Sequence, residues 1–233
     1  MGYEVLISTT SESKMALLEN NRIPPFLIDI AKPDATLNTF LVTDVLIIAI
    51  PFKNLDAFRN LIEIIGETQV KKVVFVSSSS VYPYTNGRVT EETPTAQTPL
   101  AEIEQLFIAN TAFATTILRF GGLFGYDRKP GKFIRTNKAI QNPDGFVNLI
   151  HRDDCLGIIE QIILQNVWNE VFNACAESHP KRRDFYFRET RKLGAPDPIF
   201  DETSESSFKI VDSRKLINRL NYHFIHPDLM LID

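Results

Sequence analysis

Residues 73–83 read VVFVSSSSVYP, and the reading of this stretch decides the fold. Four apolar residues, Val73 to Val76, run without alternation into Ser77–Ser80 and then Val81, Tyr82 and Pro83. An unbroken apolar run of this length suits a strand covered on both faces, as in a parallel sheet. The serines and the proline mark its end. With Lys72 it forms KVVFVSS (72–78), and similar runs recur as EVLIS (4–8), FLIDI (26–30), DVLIIAI (44–50) and TTILRF (115–120). The intervening segments have helical periodicity. Apolar residues at 55, 58, 61, 62 and 65 share one face, with Asn54 as N-cap. A second helix is expected after Thr98, which can cap it, with Pro99 in its first turn and Leu100, Ile103, Leu106 and Phe107 facing inward. This alternation predicts an α/β fold, a doubly wound and mostly parallel sheet with right-handed crossovers.

Past Phe120 the texture changes. GGLFGYDRKPGKF (121–133) reads as a loop leaving the sheet. FVNLI (146–150) reads as a short strand, and Asp153 or Asp154 as the cap of helix CLGIIEQIIL, with 156, 159 and 163 on its packing face. KRRDFYFRETRKLG and KIVDSRKLINRL read as two further helices around a proline-rich loop. The expected organisation is a core over 1–125 and a small C-terminal, substrate-type lobe over 126–233 packed on it as one structural unit.

The 233 residues carry a formal net charge of −4 and a pI near 5.6, which speaks against nucleic-acid and membrane-surface partners. The basic run Lys181–Arg183 is balanced by Asp184 and Glu189 and reads as a solvated helix start. Cys155 and Cys175 stand outside any CxxC spacing and read as buried small hydrophobes. The N-terminus lacks a signal-peptide pattern and the apolar runs are too short to span a bilayer, so a cytoplasmic location is expected.

Several motifs, in order, carry a resemblance. FVSSSSVYP (75–83), EIEQLF (102–107), LRFGGLFG (118–125), VNLIHRDD (147–154), NEVFNACA (169–176) and KLINRLNY (215–222) resemble segments of the extended short-chain dehydrogenases/reductases, the NAD-dependent epimerase/dehydratase family, in its atypical branch. The resemblance implies a Rossmann-like core, an NAD or NADP cofactor and a nucleotide or nucleotide-sugar ligand. It also implies that the chain starts at the family's second strand: EVLIS resembles strand 2, FLIDI strand 3 and DVLIIAI strand 4. Thr10, Asp29, Ala49, Pro51 and Ser77 then fall at cofactor-binding positions, and Thr10 replaces an arginine that would read a 2′-phosphate. In an alternative alignment EVLIS is strand 1, TTSES replaces the phosphate loop, and Asp29 is the ribose-binding acid. Under either alignment the glycine fingerprint is absent. With strand 1 missing, EVLIS is expected to pair directly with DVLIIAI, since open edges are costly, and a homodimer is one way to cover them.

The family's proton-transfer pair, a tyrosine with a lysine four residues on, is also missing: between Thr85 and Gly125 there is neither Tyr nor Lys. Ala96 and Leu100, or Leu100 and Glu104, stand where the pair would fall. Ser78 and Tyr82 are the remaining catalytic candidates; the local reading of Ser78 is a serine capping backbone groups. Arg119, Arg128, Asn148 and His151 are the substrate candidates, with Lys129, Lys132 and Arg152 adding to a loose basic set suited to phosphate. His151, Asp153 and Asp154 make a poor metal set by themselves, so no metal is expected. The readings that follow are a catalytically impaired oxidoreductase-like protein, a non-enzymatic nucleotide-binding or regulatory module, an enzyme with relocated chemistry on Ser78, Tyr82 or His151, and a truncated product.

Overall fold

The aliphatic run at 72–78 becomes strand β4 (Lys72–Ser78), with Val73, Val74 and Phe75 fully or almost fully removed from solvent. The computed structural model describes residues 2–20, 23–134 and 138–232. Its other strands are β1 (Ile7–Thr9), β2 (Pro25–Leu27), β3 (Val45–Ile48), β5 (Gly87–Val89), β6 (Ala114–Phe120), β7 (Gly122–Phe124), β8 (Leu149–His151), β9 (Val171–Ala174) and β10 (Lys209–Val211). The helices are α1 (Glu12–Asn20), α2 (Ala35–Phe40), α3 (Leu55–Gly66), α4 (Pro99–Ala109), α5 (Arg152–Leu164), α6 (Arg182–Lys192) and α7 (Arg214–Leu220).

Four strands form a sheet in the order β3-β4-β6-β9, and the pairs β1-β2, β5-β10 and β7-β8 form separate small sheets. The ladders β1–β2, β5–β10, β6–β9 and β7–β8 are all parallel. This is the mixed α/β, mostly parallel, Rossmann-like architecture that the strand–helix alternation predicts. The chain divides into two compact units, 1–74 with 99–115, and 75–98 with 116–233.

In the first unit, α3 and α4 carry the apolar faces read from the sequence. Asn54 caps α3 by accepting from the Ala57 amide at 2.9 Å, as expected. Phe58, Leu61 and Ile65 of α3 and Leu100, Ile103 and Phe107 of α4 are buried, and the rings of Phe58 and Phe107 meet edge-on at 6.1 Å. The expected pairing of the first strand with DVLIIAI is corrected: β1 pairs with β2 in its own sheet, Ile7 opposite Pro25, and β3 belongs to the four-stranded sheet.

The second unit holds the apolar cluster of Phe124, Val147, Leu149, Ala176, Phe185 and Leu229. Two local expectations change here. The N-cap of α5 is His151, whose ring accepts from the Asp153 amide, so Asp153 and Asp154 lie inside the first turn. The buried face of α5 is consequently Cys155, Ile158 and Ile162, while Leu156 is exposed. KIV of KIVDSRKLINRL is strand β10, paired with β5, and only Arg214–Leu220 is helical. Both cysteines are buried and free, as expected, and burial pushes the Cys155 thiol up to about 12.

Candidate functional site

The end of β4 leads directly to a buried polar network within the second unit. Ser77 is buried, and Ser78 Oγ accepts from the Ser80 amide at 3.1 Å, capping the single turn Ser79–Val81. That turn delivers Tyr82, which is 2 % exposed. Its hydroxyl accepts from Arg119 Nη1 at 2.6 Å and donates to Asn173 Oδ1 at 2.8 Å. The Arg119 guanidinium also stands 5.0 Å from the Tyr82 ring centroid. Arg119 on β6 and Asn173 on β9 are register partners, so the parallel ladder itself places both groups at one phenol. Asn173 extends the network: its amide donates to Glu91 Oε1 at 2.7 Å and its Nδ2 to the Asp212 carbonyl at 3.2 Å. Lys209 Nζ donates to the Tyr82 carbonyl at 2.5 Å.

Burial raises the Tyr82 pKa further above the phenol's usual value, and the opposing pull of Arg119 does not offset it. Burial likewise raises the Glu91 carboxyl and lowers the Lys209 ammonium. A proton-transfer group needs a pKa near the working pH and a free face toward substrate. Tyr82 has a hydroxyl committed to two partners.

A second constellation borders a cavity of about 370 Å³ walled by Phe124, Tyr126, Lys129, His151, Phe185 and Leu229 among others. The β7–β8 register sets Phe124 opposite His151, and their rings meet edge-on at 5.1 Å. Gly125 then turns at φ +121°, and a Cβ there would lie 2.5 Å from His151 Nε2, so only glycine lets the chain pass over the imidazole. Tyr126 follows, also with positive φ, and its hydroxyl donates to Asp153 Oδ1 at 2.5 Å. This bond, first among several, holds the Asp153 carboxyl below its usual range. Arg152 stacks on the Tyr126 ring at 3.7 Å. His226 closes the group, its ring centroid 3.9 Å from that of His151. Burial, with the neighbouring His226, lowers the His151 pKa.

The remaining substrate candidates have other engagements. Arg128 Nε donates to the Leu123 carbonyl at 2.7 Å and the guanidinium covers Phe133. Asn148 joins β8 to β10 by donating to the Lys209 carbonyl and accepting from the Val211 amide, both at 2.9 Å. Thus the structure brings Tyr82 and Arg119 together, sets His151 in the cavity wall, and ties Arg128 and Asn148 to backbone carbonyls. Asn173, Glu91, Asp212, Tyr126 and His226 were not legible as site residues, because each reaches its partner through non-local contacts.

The cofactor candidates of the first unit lie just past the carboxyl ends of their strands and are exposed: Thr10 after β1, Asp29 after β2, Ala49 and Pro51 after β3. Asp29 Oδ1 accepts from the Ala31 amide at 2.9 Å. Between β1 and α1, where a dinucleotide fold would present bare backbone amides to a pyrophosphate, the turn is Thr9-Thr10-Ser11, and the Ser11 amide donates to Thr9 Oγ1 at 3.1 Å. If EVLIS is strand 1, this turn stands where the pyrophosphate loop would be, and it supplies no glycine and has its Ser11 amide already engaged.

No family model matches the chain. It is similar to Protein YeeZ of Escherichia coli (strain K12), 27% identical over 249 residues, covering 99% of this chain and 90% of that protein. Among solved structures, a conserved protein of unknown function from Silicibacter pomeroyi DSS superposes with a TM-score of 0.79 at 19% identity, over 98% of this chain and 87% of that one. A protein from Methylobacillus flagellatus described as an NAD-dependent epimerase/dehydratase gives 0.75 at 19% identity, over 97% and 94%. The UDP-glucuronic acid 4-epimerase of Bacillus cereus in complex with NAD gives 0.73 at 19% identity, over 93% and 83%. The strand order, the parallel ladders and these superpositions together give the chain the fold of the NAD-dependent epimerase/dehydratase and short-chain dehydrogenase/reductase structures.

Proposed function

We propose that this chain is an NAD(P)-dependent epimerase/dehydratase-like protein that keeps a nucleotide-sugar-type ligand site and has lost the nicotinamide-dependent step. One observation carries the reading: the places where the proton-transfer pair would fall hold groups that cannot perform it. Helix α4 carries no Tyr or Lys, Leu100 and Glu104 are buried, and the Ala96 amide donates to the Val81 carbonyl. The nearby phenol of Tyr82 is bound to Arg119 and Asn173. Support for a retained ligand comes from the cavity, whose aromatic walls and lysine at 129 suit a sugar bearing anionic groups. Structures of this fold include a protein solved in complex with NAD and UDP-glucuronic acid or UDP-glucose. A second reading, a non-enzymatic nucleotide-binding or regulatory module, is favoured by the absence of a glycine-rich turn at Thr9–Ser11, whose Ser11 amide is already engaged.

The test is calorimetric titration with UDP-glucuronic acid and UDP-glucose, beside fluorescence titration with NADH and NADPH. Saturable binding of a nucleotide sugar with no turnover in the presence of NAD is the expected result. Turnover of the sugar with NAD would overturn the impaired-enzyme reading. Absence of any nucleotide or nucleotide-sugar binding would overturn the retained-ligand reading and leave the regulatory module.

A further inference from the structure

Asp153 and Asp154 are neighbours at the start of α5 with opposite surroundings. Asp154 is fully buried and its carboxylate is spent, accepting from the Tyr222 hydroxyl at 3.1 Å, the Ile225 amide at 2.6 Å and the His226 amide at 3.1 Å. Asp153 points the other way. Its Oδ1 accepts from Tyr126, and its Oδ2 lies 3.4 Å from His151 Nδ1 and 3.4 Å from His226 Nε2. Donor atoms of all three side chains lie within 4.8 Å of one another.

We propose that His151, Asp153 and His226 form a binding site for a divalent transition-metal ion of the zinc class. The donor set selects the ion: two imidazoles with one carboxylate suit zinc, cobalt, nickel or iron, whereas magnesium and calcium require oxygen-rich shells. The geometry is close to that of a loaded site. Ligands about 2.0–2.2 Å from a tetrahedral ion stand roughly 3.3–3.6 Å apart, and the two carboxylate–imidazole separations are already 3.4 Å. Loading exchanges one bond for another, since His151 Nδ1 now accepts from the Asp153 amide at 3.2 Å and would turn that lone pair to the ion.

The surroundings are those of a supported site. Tyr126 orients the carboxylate from its far oxygen. Asp154 fixes the backbone of His226, and so positions a ligand contributed from more than seventy residues away. Three protein ligands leave a coordination position open, and both His151 and Tyr126 line the cavity. The expected occupancy is therefore one ion per chain, exchangeable and open to a small ligand.

The test is isothermal titration of the purified full chain with zinc chloride, with cobalt(II) absorption as a second readout of coordination number. One equivalent of zinc should bind, with cobalt bands of four or five coordination. His226→Gln should abolish both signals, while His223→Gln should leave both intact. Tyr126→Phe should weaken zinc by about 10-fold, the usual loss for an outer-shell partner. His226 is half-buried, and circular dichroism with thermal melting verifies that its variant is folded. Failure of the wild-type chain to bind zinc, or undiminished binding by a folded His226→Gln chain, would overturn the proposal. Because no nucleotide is present, the result is independent of the functional reading above.

Discussion

Replacing Asp154 by alanine removes one acceptor from three donors at once, and the structure gives the scale of the loss. The Tyr222 hydroxyl, the Ile225 amide and the His226 amide all point at a carboxylate that is 0 % exposed. Hydrogen bonds to a charged partner contribute about 1.5–3 kcal/mol each. Ile225 is 60% exposed, so water can replace part of what its amide loses. Taking roughly 1–1.5 kcal/mol per donor after that recovery, Asp154→Ala should cost about 3–5 kcal/mol. At about 2–4 °C per kcal/mol for a chain of this size, the melting temperature should fall by roughly 6–20 °C. The neighbouring Asp153→Ala supplies the contrast. Its side chain is 34% exposed, and it loses the Tyr126 bond and a favourable place in the first turn of α5, about 1 kcal/mol together. Differential scanning fluorimetry of both variants without metal reads the difference. An Asp154→Ala chain that melts within about 3 °C of wild type, or no lower than Asp153→Ala, would refute the assignment of one aspartate to the fold and the other to the site.

Two further outcomes follow from the buried network of the second unit. Tyr82→Phe removes a hydroxyl that serves Arg119 and Asn173, and should lower stability by about 1–3 kcal/mol in thermal melts; an unchanged melting temperature would show that this hydroxyl does not hold the network together. Asp212, 4% exposed, is pushed up by burial but held below the usual carboxyl range by its stronger set of bonds to Arg214, with Arg88 nearby. Its folded pKa thus lies below its unfolded one, so its contribution is fully present above about pH 4 and is lost as pH falls through the folded pKa. Asp212→Asn should be less stable than wild type at pH 7, and that gap should close on acidification; a gap independent of pH would remove Asp212 from the acid response.

What the sequence made legible was set by how local each signal is. β4 and β6 were readable because strands covered on both faces carry aliphatic-rich runs, and Val73–Val76 and Ile117–Leu118 with Phe120 supply them. Asn54 was readable because a cap acts within three residues of itself. The start of α5 differs from the sequence expectation for a physical reason. Two aspartates in a row satisfy the usual preference for a capping side chain, yet the cap is the imidazole of His151, which is already fixed by β8 and by Phe124. The shift moved the buried face to Cys155, Ile158 and Ile162. β10 was missed because its partner, β5, lies more than a hundred residues earlier. His226 was invisible for the same reason: nothing within its own segment, NYHFIHPDL, distinguishes it from His223, and its role depends on Asp154 drawing the Ile225 and His226 amides toward α5.

The first strand makes the same argument in energetic terms. Two open edges would favour pairing of EVLIS with DVLIIAI, yet β1 is three residues long and pairs with β2 in a two-stranded sheet. A short edge exposes few backbone groups, and water satisfies those, so the cost that drove the expectation is small. The gain from pairing would also be small. Among the described residues before Ala31, Ile28 is the one buried hydrophobic, while Tyr3, Val5 and Leu17 are more than half exposed. The core of the first unit is built instead from Leu37, Leu41, Leu46 and Ile48 with the facing residues of α3 and α4. The segment that lacks the glycine turn is therefore also the segment that contributes least to packing. A pyrophosphate site demands a turn held rigidly against a central strand, and here neither the bare backbone nor the buried strand beneath it is supplied. Among the described residues of 2–30 neither is supplied, whereas the buried polar groups and the cavity lie in the second unit, around His151 and the ladder that joins Arg119 to Asn173.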